Sequence, residues 1–255
     1  MQIPLAPAGA EAFAVLIVFV RIGTAIAFLP GFSAAYVPMR LRLLLALLLS
    51  LLVTPTLTGV LPALPKSPAL LVMLMLSEAT IGLFIGCAAR IAFAALQVAG
   101  SYVALLSSFA NALVLDPIVD QQSSTISGFF TTLGVVVLFA ADLHHLLLRT
   151  LVDSYAVFLP QGGMPVGDLS AAIARAVADS FALGVQLAAP FVVVSLVYNV
   201  GMGMLSRLVP QLQVYFFGLP LQLALQICVI MLSISGIMLV FLNHFGRSVL
   251  VSVGS

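Results

Sequence analysis

"ALLVMLMLSEATIGLFIGCAARIAFAALQVAGSYVALLSSFANALVL", Ala69 to Leu115, runs for 47 residues without a proline, and only Glu78 and Arg90 in it are charged. A helix crosses the hydrocarbon core of a bilayer in about 20 residues. One continuous helix over this stretch would reach about 70 Å, more than twice that core. Two tightly joined spans fit as well as one long bent helix, and no residue marks an obvious turn. "GLFIG", Gly82 to Gly86, is a G-x-x-x-G that allows close helix approach, though glycine is common in apolar helices. Strand-period alternation is absent, which argues against a β-barrel.

The rest of the chain has the same character. Of its 255 residues 63% are hydrophobic and 7% charged, against about 25% charged in a soluble domain. Mean hydropathy is +1.27. So few charges could not cover a soluble fold, so the sequence implies an integral membrane protein or one buried in a larger assembly. A net charge of +1, with "RLR" at Arg40 and Arg42 as the densest basic cluster, offers nothing for nucleic acid. Met1 to Ala10 has no Lys or Arg, so a cleaved secretory signal is not expected. Cys87 and Cys228 sit in apolar runs outside any C-x-x-C. Buried, inert thiols are expected, with a structural disulfide as the lesser reading.

Outward from the central stretch, Ala12 to Leu29 is a first span interrupted by Arg21, and Leu43 to about Val60 a second, bent by Pro55. "LPALPKSP", Leu61 to Pro68, is a loop, since its prolines remove donors and fix φ. Beyond Leu115 the polar "DPIVDQQSST" should break the helix. Ile126 to Ala141 is apolar but short, and "DLHHLLLRTLVDSY" continues it with helical character. Residues 159–169 read as a loop, with Asp168 or Ser170 as cap of a helix beginning near Ala171. Ser180 to Val200 and Leu219 to Leu242 are the last strong spans, suited to lipid or to partner helices. The fold class is therefore all-α, with about six long apolar segments, some bent or paired as hairpins. Residues 1–255 form a single helical membrane domain, with no soluble domain. Loop basic residues are too few to orient it.

Arg21 and Glu78 each lie near the middle of an apolar span, where an ionisable group raises a functional question. They pair across helices, meet a partner subunit, or line a transport pathway. A structural role, whether pairing across helices or facing polar groups of a partner subunit, is favoured over a transport role, because only one acid and one base are so placed. Asp142, His144 and His145 invite a metal reading. Adjacent helical residues point about 100° apart, and the i, i+4 histidine spacing of a zinc helix is missing, so no metal site and no cofactor are expected. No G-x-S-x-G, H-E-x-x-H or phosphate-binding G-x-x-x-x-G-K occurs, and catalysis has no support.

Two stretches carry a resemblance. "VGMGMLSRLVPQLQVYFFGLPLQL" resembles the signature of the FliR family, which includes injectisome counterparts: small residues and an Arg close one helix, then come Pro-Gln and an apolar run to Gly-x-Pro. Here these are Gly203, Arg207, Pro210, Gln211, Gly218 and Pro220. In the centre, Phe109 leads to Asp116-Pro117, an apolar helix, a His-containing corner and "LVDSYAVFLPQG". Arg21 with Pro30, and the basic start of the second span, also fit. The likeness covers nearly the whole chain. Leu143 stands where the family often has Gly, and Met202-Gly203-Met204 replaces a more usual aliphatic run.

The resemblance implies a non-enzymatic subunit of the flagellar type III export gate. There FliP and FliQ would be its partners in a conical channel, with FlhB and FlhA-type proteins associated. Unfolded export substrates would pass through. The place would be the bacterial inner membrane at the flagellar basal body, with much of the assembly displaced toward the periplasm. The resemblance also implies that residues 107–125 help to plug the closed channel. Phe109, Asn111 and Leu113 would supply the apolar tip, and Asp116, Pro117 and Gln121 the polar, proline-broken part. An apolar constriction that resists wetting suits such a seal, and an ordinary connecting loop is the competing reading of the same residues. Arg207, Pro210, Gln211, Gly218 and Pro220 would form an assembly motif at the corner between the last two helices. The injectisome equivalent and a proton-coupled secondary transporter are the alternatives.

Overall fold

A computed structural model describes residues 5–33, 37–57, 59–107, 125–160, 166–208 and 214–251. The described residues form seven α-helices and no strand: α1 Leu5–Phe28, α2 Met39–Val53, α3 Pro68–Leu106, α4 Thr125–Ala140, α5 Leu143–Val157, α6 Val166–Leu208 and α7 Val214–Val251. A 3₁₀ turn, Thr54–Leu57, follows α2 at the point where Pro55 removes a helical donor. Five helices are long and apolar enough to cross a membrane, and α4 with α5 would make a sixth if they act as one broken span.

The central stretch resolves into one helix as far as Leu106. At 39 residues, α3 is about 58 Å long. Pro68 opens it, a position where the missing N–H costs nothing, and Leu71 N–H donates to the Ser67 carbonyl. The hairpin alternative fails within Pro68–Leu106. Residues 108–115 lie outside the described residues.

Three expectations need correction. The segment after Ala141 does not continue α4. Asp142 adopts a left-handed conformation, φ 56°, which Asp tolerates better than most residues, and α5 starts anew. The helix expected near Ala171 begins at Val166, so Val166 to Leu169 are helix and not loop. Asp168 lies in the first turn of α6, where a carboxylate favours the helix dipole, and Ser170 Oγ donates back to the Gly167 carbonyl instead of capping. The cysteines are free and neither is buried: Cys87 is half-exposed and Cys228 exposed.

Contacts divide the chain into two compact units. The first holds Met1–Ala92, Asp142–Val177 and Phe245–Ser255. Its core is the face Val18, Ile22 and Ala25 of α1 with Leu29 just beyond it, Ile81, Ile85 and Ala89 of α3, and Leu147, Leu151 and Tyr155 of α5. "GLFIG" is the seam between α1 and α3. A Cβ at Gly82 would strike the Arg21 carbonyl and Thr24 Oγ1, and one at Gly86 would lie 2.8 Å from the Ala25 carbonyl oxygen. Positions 78, 82 and 86 of α3 thus meet residues 21, 24 and 25 to 28 of α1 in ascending order, so the two helices run in the same direction. α2 buries only Ala46 and Ser50 within its span, while most of its leucines stay exposed.

The second unit holds Phe93–Ala141 and Ala178–His244. Ala95, Leu96, Ala99 and Val103 of α3 are buried there with Phe130 and Leu138 of α4, Phe191 of α6 and Phe241 of α7. Phe93 and Phe241 meet edge to face at 5.5 Å between ring centres, a favoured aromatic geometry. Ser127 Oγ donates to the Gln97 carbonyl at 3.1 Å, joining α4 to α3. Pro190 and Pro220 lie inside α6 and α7. Pro220 is helical, seven residues into α7. It removes one backbone donor without ending a helix that neighbours hold in place.

Candidate functional site

Among the described residues, the first unit holds a buried charged node. Arg21 on α1 and Glu78 on α3 are both 0% exposed. Arg21 Nε donates to Glu78 Oε2 at 2.7 Å and Nη2 to Oε1 at 3.0 Å. This is the parallel two-bond pairing that a guanidinium fork favours. Nη1 donates to Ser154 Oγ at 3.2 Å and Nη2 to the Phe158 carbonyl at 2.9 Å. The guanidinium carbon lies 3.8 Å from the centre of the Tyr155 ring, a cation–π distance. One cation thereby ties together α1, α3 and the end of α5. Ser154, Tyr155 and Phe158 are partners that the sequence did not mark, although Ser154 and Tyr155 stand with Thr150 as the buried polar side chains of α5.

The second unit contains an uncharged polar node at the end of α3. The last carbonyls of a helix have no intrahelical donor. Leu106 carries such a carbonyl, and it accepts from Gln222 Nε2 of α7 at 2.7 Å and from Ser195 Oγ of α6 at 3.4 Å. Asn199 Nδ2 donates to Ser195 Oγ at 3.3 Å. One turn before Gln222, the Gly218 carbonyl accepts from Tyr198 Oη at 2.5 Å. Gly218 is closely packed here: a Cβ would meet the side-chain ends of Met202 at Cε and of Tyr198, at 2.9 Å from Oη. Gln226, one turn further on, is fully buried, and neither amide atom has a partner. The spacing Gly218, Gln222, Gln226 in an apolar run was the available signal for this stripe.

Of the residues singled out from sequence, Arg21 and Glu78 come together directly. Arg207 lies in the last turn of α6, where a cation meets free helix carbonyls. Gly218 and Pro220 lie in the first turns of α7. Pro210 and Gln211, and the plug candidates Phe109, Asn111, Leu113, Asp116, Pro117 and Gln121, lie outside the described residues.

The break at Asp142 brings ligand atoms of Asp142, His144 and His145 within 4.8 Å of one another, and the two imidazole centres are 4.0 Å apart. Helical fanning alone would have spread them more widely. Ligands at about 2.0–2.1 Å from a tetrahedral zinc are about 3.4 Å apart, so these side chains would have to draw closer to share an ion. The cluster also occupies the positive end of α5, an unfavourable place for a cation.

Long apolar helices joined by buried polar ties, with no reactive constellation among the described residues, define an all-helical membrane-type protein whose polar groups hold helices together. Residues 12–248 match the model of the bacterial export proteins, family 1, and the chain belongs to that family. It is 33% identical to the flagellar biosynthetic protein FliR of Caulobacter vibrioides over 92% of this chain and 94% of that protein. FliR of Bacillus subtilis is 30% identical over 92% of each. The Yop proteins translocation protein T of Yersinia pestis is 28% identical over 61% of this chain and 60% of its own length. The resemblance read from the Arg207 and Asp116 stretches is therefore correct at the level of family, as is the all-helical class.

Proposed function

We propose that this chain is a structural, non-catalytic pore subunit of the flagellar type III export gate in the inner membrane. It would assemble with FliP and FliQ, beside FlhB and FlhA-type proteins, around a channel for unfolded flagellar subunits. Residues 107–125 would help to close that channel. The observation that carries this reading is the match over residues 12–248, together with flagellar relatives that align over nearly their whole length. The shorter alignment of the Yersinia translocation protein supports the flagellar branch over the injectisome branch. The transporter reading is disfavoured by the Arg21–Glu78 pair, whose side chains have no exposed surface and whose bonds are already used. Deleting the gene is the test. Loss of flagellin export and motility is expected. Retained motility with lost effector secretion would move the assignment to an injectisome, and a solute-uptake defect alone would overturn both.

A further inference from the structure

Arg40 and Arg42 form the densest basic cluster of the chain, and the export reading gives them no task. They open the second span. Met39–Leu57 is 19 residues long and apolar enough to cross a membrane. At about 28 Å it matches the hydrocarbon thickness of about 30 Å. Both arginines lie in its first turn, so they stand at the boundary where lipid phosphates lie, and the leucines after them run into hydrocarbon.

Two apolar clefts flank α2. One, of about 330 Å³, is lined by Val20, Gly23 and Ala27 of α1 with Arg42 and Leu43 of α2. The other, of about 310 Å³, is lined by Phe32, Leu41, Arg42, Leu45 and Leu48. Arg42 thus lines both. Its guanidinium is held by the Val37 carbonyl, which accepts from Nε at 3.1 Å and from Nη2 at 2.9 Å. Arg40 is exposed and makes no ion pair among the described residues. No carboxylate lines either cleft, so the positive charge here asks for an anion from outside the chain.

We propose that the start of α2 is a binding site for an anionic phospholipid. Arg40 and Arg42 hold the phosphate, and the two acyl chains lie one on each side of α2. Clefts of nearly equal size that share one cation fit a molecule with one anionic head and two tails, whereas a single partner helix fills one groove. Basic pockets between membrane helices suit anionic headgroups, and arginine presents a planar fork of donors to phosphate. The site depends on the membrane class of the chain, not on its export role.

The chain has no tryptophan, so a single introduced one reports on its own surroundings. Leu48→Trp probes the second cleft, about 9 Å along the helix from Arg42, where Leu48 is half-exposed. Leu232→Trp, on the exposed face of α7, is the control for ordinary lipid contact. Each full-length variant is reconstituted into phosphatidylcholine vesicles with a minor fraction of lipid brominated on its acyl chains, either phosphatidylglycerol or phosphatidylcholine. In Leu48→Trp, quenching should favour phosphatidylglycerol about fivefold per arginine, roughly 25-fold for the pair. Leu232→Trp should show no such preference. Arg40→Gln, which breaks no bond of the fold, should lower the preference about fivefold, Arg40→Lys should keep it, and Arg40→Gln with Arg42→Gln should abolish it. Equal preference at positions 48 and 232, or an unchanged preference in the double variant, overturns the proposal. If the double variant does not insert, Arg40→Gln alone decides by the same rule. Excess inorganic phosphate should leave the preference in place; its loss would mean that the phosphate alone is recognised, and would overturn the two-tailed site. The preference should also persist in the chain assembled with FliP and FliQ. Loss of all lipid quenching there would put a partner helix in the clefts and overturn lipid as their occupant, while the vesicle result stands or falls without the export gate.

Discussion

Arg21 Nε lies 2.7 Å from Glu78 Oε2, and neither side chain has any exposed surface. Removing one partner of a buried pair strands a charge and costs about 3–5 kcal/mol, whereas replacing both with apolar residues is often nearly neutral. Glu78→Leu should therefore sharply lower the thermal stability of the purified chain. Arg21→Met with Glu78→Leu should recover much of it. Full recovery is not expected, because Arg21 also serves Ser154 and the Phe158 carbonyl. A double variant as unstable as the single one would refute the pairing account.

Tyr155 separates ring from hydroxyl. Its ring covers the Arg21 guanidinium, while its buried Oη has no partner. Tyr155→Phe should be neutral or stabilising by up to about 1 kcal/mol, since it removes an unsatisfied group. Tyr155→Leu should destabilise by losing both packing and the cation–π contact. Melting temperatures of the two variants check this ordering.

Glycines in similar helices should differ in their tolerance of a methyl group. At Gly82 a Cβ meets backbone that cannot swing aside, while at Gly203 nothing lies within 4 Å. Gly82→Ala should cost about 1–3 kcal/mol or more by overpacking. Gly203→Ala should gain up to about 1 kcal/mol of helix propensity. Equal effects would place the α1–α3 seam elsewhere.

The length of α3 can be tested by oxidative crosslinking in a chain lacking Cys87 and Cys228. Gly82 and Val98 lie about 24 Å apart along a continuous helix, so a cysteine pair there should not couple. Gly23 and Ala46 are the positive control, since a Cβ at Gly23 lies 3.9 Å from that of Ala46, within disulfide reach. Efficient coupling of the first pair would restore the hairpin.

Deleting Ala110 to Val119 should make the closed gate leak ions, as expected of a closing segment; unchanged conductance would oppose that role. Replacing Arg207 or Pro210 should weaken copurification with FliP and FliQ. Normal assembly with lost export would move the corner motif from assembly to gating.

The sequence by itself determined the all-helical membrane class, through its shortage of charge and its long apolar runs, and it marked the family through ordered motifs. It also isolated Arg21 and Glu78, because a charge in an apolar span is visible without coordinates. Helix limits were less legible: Pro220 continues α7 and Asp142 breaks the chain, since neighbouring helices override what proline and apolarity suggest locally. Only the tertiary structure decided that Ala69 onward is one helix to Leu106, that "GLFIG" is the α1–α3 seam, and that Ser154, Tyr155, Ser195 and Gln222 matter. Those roles depend on contacts between residues as far as 134 positions apart. Serine and glutamine are unremarkable in sequence until a distant helix delivers a guanidinium or an orphan carbonyl to them, and only folding does that.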